Sequence, residues 1–270
     1  MKLLRCKPTF FDVVYAINPH MKIGSVDKAL AYKQWEEIGE IYKSIGVDCI
    51  DLDGIEGLPD IVFTANQSLP FVKADGSKAV VLSNMRAEER RAEVDHLRLW
   101  YESQNYEIHR IDPSVGFLEG MGDTIYHEDK SFLWAGYGFR TTEAVHQALA
   151  EITGLELRPL KLVDPDFYHL DVCLCVLGAG TALVYKPAFD EESFAKIEDA
   201  FDHLIELSKE EAYNFAGNAH CPDGKHVILQ KGSDSLELKL TEHGFTPISV
   251  DTSEYMKSGG SVFCMKMELP

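Results

Sequence analysis

Apolar and polar positions along this chain repeat one arrangement five times: an amphipathic helix followed by a short apolar strand. In the first copy Ala31, Trp35, Ile38, Tyr42 and Ile45 fall at three- and four-residue steps, which predicts a helix over Ala31–Ile45 with one buried stripe. A strand signal follows at Val47–Asp53. The same succession predicts helices over Ala87–Glu102, Thr142–Ile152, Glu191–Leu204 and Ser233–Thr241, leading into strands at Tyr106–Asp112, Leu155–Asp164, Ile205–Leu207 and Phe245–Asp251. Four strands end in an aliphatic residue and Asp: Leu52-Asp53, Ile111-Asp112, Val163-Asp164 and Val250-Asp251. The Asp-to-Asp intervals are 59, 52 and 87 residues, the last wide enough to contain the weaker fourth unit. Five degenerate units of roughly fifty residues follow, a period of radial or solenoid repetition.

Shortly after each strand the chain places a polar cluster inside apolar sequence. The clusters carry Asp60 and Asn66, then Glu119 and Asp123, then His169 and Asp171, then Asn214 and Asn218, then Cys264 behind Gly259-Gly260. Taken singly, Asp60, Glu119 and Asp171 read as turn or cap residues. Taken together, each unit is expected to supply one wall of a shared pocket. An exposed Cys264 at a glycine-loosened strand entry, with His169 brought near by the fold, is the minimal apparatus for covalent catalysis by a thiolate. A rival reading takes residues 169–175 as an extended strand, with His169, Asp171, Cys173 and Cys175 on one face as half of a metal site completed by His220 and Cys221. No C-x₂-C motif is present and a flat strand spreads its ligands apart, so neither metal nor cofactor is expected.

The segments Pro59-Asp60-Ile61-Val62-Phe63-Thr64-Ala65-Asn66, Leu133 to Thr141, Phe167-Tyr168-His169-Leu170-Asp171 and the terminal Gly259-Gly260-Ser261-Val262-Phe263-Cys264 carry a resemblance that begins at Tyr15-Ala16-Ile17-Asn18-Pro19 and covers nearly the whole chain. The chain resembles the guanidino-group-modifying superfamily of arginine deiminases, dimethylarginine dimethylaminohydrolases, amidinotransferases and arginine dihydrolases. The resemblance implies an α/β fold, a five-bladed pseudo-symmetric propeller of ββαβ units around a central active site. The motifs are most similar to bacterial arginine dihydrolases, which turn arginine into ornithine, ammonia and carbon dioxide through citrulline. Asn66 is the discriminating position, because deiminases and dimethylarginine hydrolases typically place Asp there.

What the resemblance implies for individual residues agrees with charge complementarity. Cys264 is the expected nucleophile, forming a thiouronium with the guanidinium carbon, and His169 the proton carrier. Glu119 and Asp171 are the expected carboxylate pair for the planar cation, and Asp60 belongs to the binding set. Asn18 and Asn66 serve as neutral hydrogen-bonding partners. Arg90 and Arg140 match family positions for an α-carboxylate, although Arg90 also reads as part of a solvated helix face among Arg86, Glu88, Glu89 and Arg91. Two departures, Met121 where relatives carry an acidic residue and Phe263 where they carry a more polar one, are expected to bear on substrate choice. Alternatives are a deiminase or dimethylarginine hydrolase that stops at citrulline, an amidinotransferase that needs an amine acceptor, and a catalytically silent guanidino-compound binding protein.

Composition bounds these readings. With 45% hydrophobic residues, 270 residues can bury one large core, and no Pro-, Gly- or Ser-rich linker divides them, so residues 1–270 read as a single catalytic domain. The formal charge of −18 and the lack of a basic run exclude nucleic acid as an expected partner. The acidity reads first as conferring solubility only, with attraction of a cationic small molecule as the alternative. The N-terminus lacks a secretory h-region and no stretch has the apolar length of a membrane span, which with six scattered cysteines predicts a cytoplasmic protein of free thiols. Self-association into a homo-oligomer stays open.

Overall fold

Helix Lys28–Ser44 begins at Asp27, whose carboxylate accepts from the Leu30 amide, and buries Ala31, Gln34, Trp35, Ile38 and Tyr42 along one side. Each large apolar side chain so buried contributes about 1.5–3 kcal/mol. Helices Arg91–Ser103, Val145–Thr153, Glu191–Glu198 and Asp234–Glu242 bury one side in the same manner. The computed structural model describes Met1–Pro270 in full.

The helix expected to run from Glu191 to Leu204 stops at Glu198. Leu204 instead lies in strand His203–Glu206, opposite Ala182 in a parallel ladder, so sheet pairing takes the residues that helical spacing alone would assign to the helix. The second helix is shortened at its other end. Residues Glu88–Arg90 form a 3₁₀ turn, and the α-helix starts at Arg91.

Each helix bridges two parallel strands. Lys2–Cys6 pairs with Asp48–Leu52, Lys78–Leu82 with Glu107–Arg110, Phe132–Tyr137 with Glu156–Lys161, Thr181–Val184 with His203–Glu206, and His226–Gln230 with Thr246–Val250. In three units an antiparallel strand precedes the pair: Ser68–Val72, Thr124–Tyr126 and Leu174–Gly178. In the fifth unit that strand shrinks to the single antiparallel bridge His220–Ile228. The first unit receives it from the far end of the chain, where Met267–Leu269 pairs antiparallel with Lys2–Leu4. The result is an α/β fold of five small sheets, with the two chain ends joined in one of them. No helix is long and apolar enough to cross a membrane.

Apolar side chains from all five sheets merge into one buried cluster. The polar segments meet inside it and are stitched by backbone groups: the Ala65 amide donates to the Cys264 carbonyl at 3.1 Å and the Phe263 amide to the Asn218 carbonyl at 3.0 Å. The Thr64 hydroxyl donates to the Leu4 carbonyl at 3.2 Å, so strand Lys2–Cys6 supports the segment that ends in Asn66. Leu4 is fully buried in that strand. Leu4→Ala is expected to lower unfolding free energy by about 2–5 kcal/mol, read from the urea midpoint at unchanged slope.

Candidate active site

Two consecutive 3₁₀ turns, Pro59–Val62 and Thr64–Asn66, carry Asp60 and Asn66 inward, and both side chains are buried. Burial obliges these groups to find partners. Arg90 supplies them: Nη1 donates to Asn66 Oδ1 at 2.9 Å and Nη2 to the Asp60 carbonyl at 3.1 Å. Far from lying on a solvated face, Arg90 is 4% exposed and is neutralised by Glu93, one turn along the helix, at 2.8 Å. Burial works against its charge, but Glu93 and then Asp60 outweigh that and hold the guanidinium protonated. A guanidinium has no acceptor, so the Asn66 atom facing it is the amide oxygen and the orientation of the amide is determined. Asn66 Nδ2 is left buried without a partner.

Cys264 is buried, 3% exposed, and lies in a turn ahead of strand Met267–Leu269 rather than exposed at a strand entry. Its thiol donates to Asp171 Oδ2 at 3.0 Å, and Asn218 Nδ2 approaches the same sulfur at 3.3 Å. Burial pushes the thiol well above its usual range and Asp171 pushes it further. Burial also raises the Asp171 carboxyl to about 7, against the pull of its hydrogen-bonding partners Cys264 and Asn218. The resting sulfur is a protonated thiol.

His169 comes from the residue just before the 3₁₀ turn Leu170–Val172, and its Nε2 lies 2.7 Å from Glu119 Oε2. Glu119 is fully buried; it also accepts from Arg140 Nη1 at 3.1 Å and from the Arg86 amide at 3.0 Å. Burial opposes its ionisation, but Arg140 and then His169 outweigh it and hold the carboxyl well below the usual carboxylate range. Arg140 in turn donates to the Ile17 carbonyl at 2.8 Å and stacks on the Tyr168 ring at 4.7 Å.

A narrow cavity opens among these groups. Asn18, Asp60, Asn66, Arg90, Arg140, His169 and Cys264, seven residues singled out in the sequence, all line it. Glu119 and Asp171 do not reach its wall. They touch His169 and Cys264 instead, Glu119 through Oε2 and Asp171 through Oδ2, while Asp171 Oδ1 has no hydrogen-bond partner. Asp60 is the carboxylate on the wall, with Oδ1 held by the Ser258 hydroxyl at 2.9 Å and Oδ2 without a partner. Asn18 Nδ2 donates to the Ser258 carbonyl at 2.9 Å and the Tyr168 hydroxyl to the Gly259 carbonyl at 2.6 Å. Gly259, at φ +88°, sits so close to Asn18 and Tyr168 that a Cβ would meet both at 2.7 Å.

Met121 and Phe263 line a second cavity, with Cys175, His220, Cys221 and Glu268, and no wall residue is shared with the first. The Phe263 ring carries the buried Lys266 ammonium at 3.2 Å. The rival metal reading required an extended chain through His169 and Asp171, but this stretch is a 3₁₀ turn, so side chains at two-residue steps no longer share a face. Two residues escaped sequence reasoning. Glu93 was signalled only by its i,i+3 spacing from Arg90, and Asn218 only by its place in the fourth polar cluster.

The family described as N,N dimethylarginine dimethylhydrolase, eukaryotic, matches residues 18–270. The bifunctional arginine dihydrolase/ornithine cyclodeaminase AgrE of Nostoc sp. is 36% identical over 275 residues, which is 100% of this chain and 38% of that protein. The N(G),N(G)-dimethylarginine dimethylaminohydrolase of Mycobacterium tuberculosis is 36% identical over 263 residues, 97% of this chain and 83% of that protein. Among solved structures, the substrate-bound N-terminal domain of ArgZ, an arginine dihydrolase of cyanobacteria, superposes with a TM-score of 0.92 at 33% identity, covering 98% of this chain and 97% of that one. The chain spans 38% of the length of AgrE and of the bifunctional ArgZ of Synechocystis sp..

The raised Asp171 carboxyl makes a prediction about stability. Between the ordinary Asp value near 3.8 and its folded value of about 7 the folded chain binds the extra proton, so this residue's contribution to stability falls as pH rises through that window. Asp171→Asn is expected to be more stable than wild type at pH 8 by on the order of 1 kcal/mol or more, with the gain vanishing toward pH 4. Urea unfolding at fixed pH values checks both limbs.

Proposed function

The chain belongs to the N,N dimethylarginine dimethylhydrolase family, and we propose that within it the protein is an arginine dihydrolase, a cysteine-dependent hydrolase that converts arginine through citrulline to ornithine, two ammonia and carbon dioxide. The observation that carries this reading is the unpartnered Asn66 amide N–H₂ on the wall of the cavity that holds Cys264. Because Arg90 occupies the oxygen, Asn66 offers a ligand a donor. A ureido oxygen needs such a donor, whereas an ionised Asp could only accept. The substrate-bound ArgZ domain and a second ArgZ structure carrying a covalent reaction intermediate support the same chemistry.

In the proposed first cycle the α-carboxylate is held by Arg90 and Arg140, and the guanidinium is drawn to Asp60, to Asn18, and to Asp171 with Glu119 behind the wall. As the cation approaches, Cys264 passes its proton to Asp171 Oδ2, its hydrogen-bond acceptor, and the thiolate adds to the guanidinium carbon. His169 protonates the departing nitrogen as ammonia, leaving a thiouronium, and then takes a proton from the water that hydrolyses it to citrulline. In the second cycle Asn66 donates to the ureido oxygen and Cys264 attacks the same carbon. A second ammonia leaves, water cleaves the resulting thiocarbamate, and the carbamic acid breaks down to ornithine and carbon dioxide.

The architecture we propose for this chemistry is a five-bladed pseudo-symmetric α/β propeller, with residues 1–270 as one catalytic domain. Support comes from the five sheet-and-helix units and from the C-terminal strand that completes the first sheet. The proposed partner is a small guanidino compound. No cofactor, metal, nucleic acid or membrane enters the reaction, and its proposed site is the cytoplasm.

The 36% identity to the Mycobacterium tuberculosis enzyme favours one second reading, hydrolysis of dimethylarginine to citrulline and dimethylamine. Incubation with arginine and, separately, dimethylarginine distinguishes them. The dihydrolase reading requires ornithine with two ammonia per arginine. Accumulation of citrulline, or dimethylamine release without arginine turnover, overturns it.

Two variants extend the test. Cys264→Ser is expected to abolish turnover while retaining the fold and arginine binding by calorimetry, since an alcohol is a far weaker nucleophile than a thiol at neutral pH. Asn66→Asp is expected to lose the second cycle first and accumulate citrulline, because replacing the donor by a second acceptor beside the ureido oxygen costs on the order of 1–3 kcal/mol. Chromatographic citrulline-to-ornithine ratios read it out.

A further inference from the structure

Asn218 is fully buried, and its side chain is used at every atom. Oδ1 accepts from the Ser261 amide at 3.0 Å and the Cys264 amide at 3.3 Å, which determines the orientation of the side-chain amide. Nδ2 therefore carries the two donors; one goes to the Asp171 carbonyl at 2.8 Å and the other to Cys264 Sγ at 3.3 Å. It is the side-chain donor on that sulfur. The opposing group is Asp171 Oδ2, which accepts the thiol proton at 3.0 Å.

The two neighbours favour opposite states. An acceptor carboxylate stabilises S–H, while an amide N–H stabilises S⁻. A buried thiolate without a donor would be an uncompensated charge in the interior, the costliest form the site could hold. We propose that Asn218 is the donor that stabilises the Cys264 thiolate once the thiol proton has passed to Asp171 Oδ2, the acceptor it already touches. This rests on the reading of Cys264 as nucleophile. The same residue fixes the sulfur against the Asp171 turn, because its amide spans residues 171, 261 and 264.

The test measures Cys264 itself and needs no turnover. The rate of Cys264 alkylation by iodoacetamide is followed against pH by peptide mass spectrometry, which separates it from the other five cysteines. Asn218→Ala removes the donor without adding charge. Asn218→Asp keeps the size and both acceptor bonds, loses the donors, and stays available if the alanine variant does not fold. The expected result is a midpoint higher by about one pH unit or more in Asn218→Ala, about tenfold slower alkylation below the midpoint, with a larger rise in Asn218→Asp. In assays kcat falls, while arginine affinity measured in a Cys264→Ser background is retained. A folded Asn218→Ala or Asn218→Asp with a lowered melting temperature and an unchanged alkylation midpoint would show a purely structural role and overturn the proposal. Failure of the functional reading looks different: the wild type turns over no guanidino compound, although its alkylation profile responds to Asn218.

Discussion

Everything in this structure is arranged around one costly requirement, the burial of many polar and ionisable groups at the place where five small sheets meet. Asp60, Arg90, Glu93, Glu119, Arg140, His169, Asp171, Asn218 and Cys264 are each at most 6% exposed. Isolated in an apolar interior, each would cost several kcal/mol. They survive by satisfying one another: Arg90 with Glu93 and Asn66, Glu119 with Arg140 and His169, Asp171 and Asn218 with Cys264. Asp60 Oδ2, Asn66 Nδ2 and Asp171 Oδ1 are among the buried atoms left without a partner. In the proposed reaction, the acceptor Asp60 Oδ2 and the donor Asn66 Nδ2 on the cavity wall would meet a planar cation first and a ureido group afterwards.

The repeat and its five helices were legible because burial on one face of a helix imposes a period that survives sequence drift. Trp35, Ile38 and Tyr42 face the core where their spacing placed them. Boundaries were less legible, since Leu204 has the same apolar character whether it ends a helix or enters a ladder with Ala182. The closure of the first sheet by Met267–Leu269 could not be read locally, because strands at opposite chain ends pair through register and not through proximity in sequence.

The site divides in a comparable way. Residues on the cavity wall were found through the family resemblance, with which charge and hydrogen-bonding chemistry agree. Partners one step behind were harder to read. Glu119 and Asp171 hold His169 and Cys264; Glu93 and Asn218 hold Arg90 and Cys264 and carry no signature beyond their spacing. Second partners of this kind become visible only when the fold shows which donors are already spent. Met121 and Phe263 make the same point in reverse, since proximity in sequence to Glu119 and Cys264 placed neither on the catalytic cavity.

The central claim is that Asn66 receives a ureido oxygen, so that the carbon first attacked as a guanidinium is attacked again. Following arginine labelled with carbon-13 at the guanidino carbon by NMR tests this directly. The account predicts a transient citrulline signal that gives way to labelled bicarbonate, with ornithine unlabelled. A label that comes to rest in citrulline would contradict it.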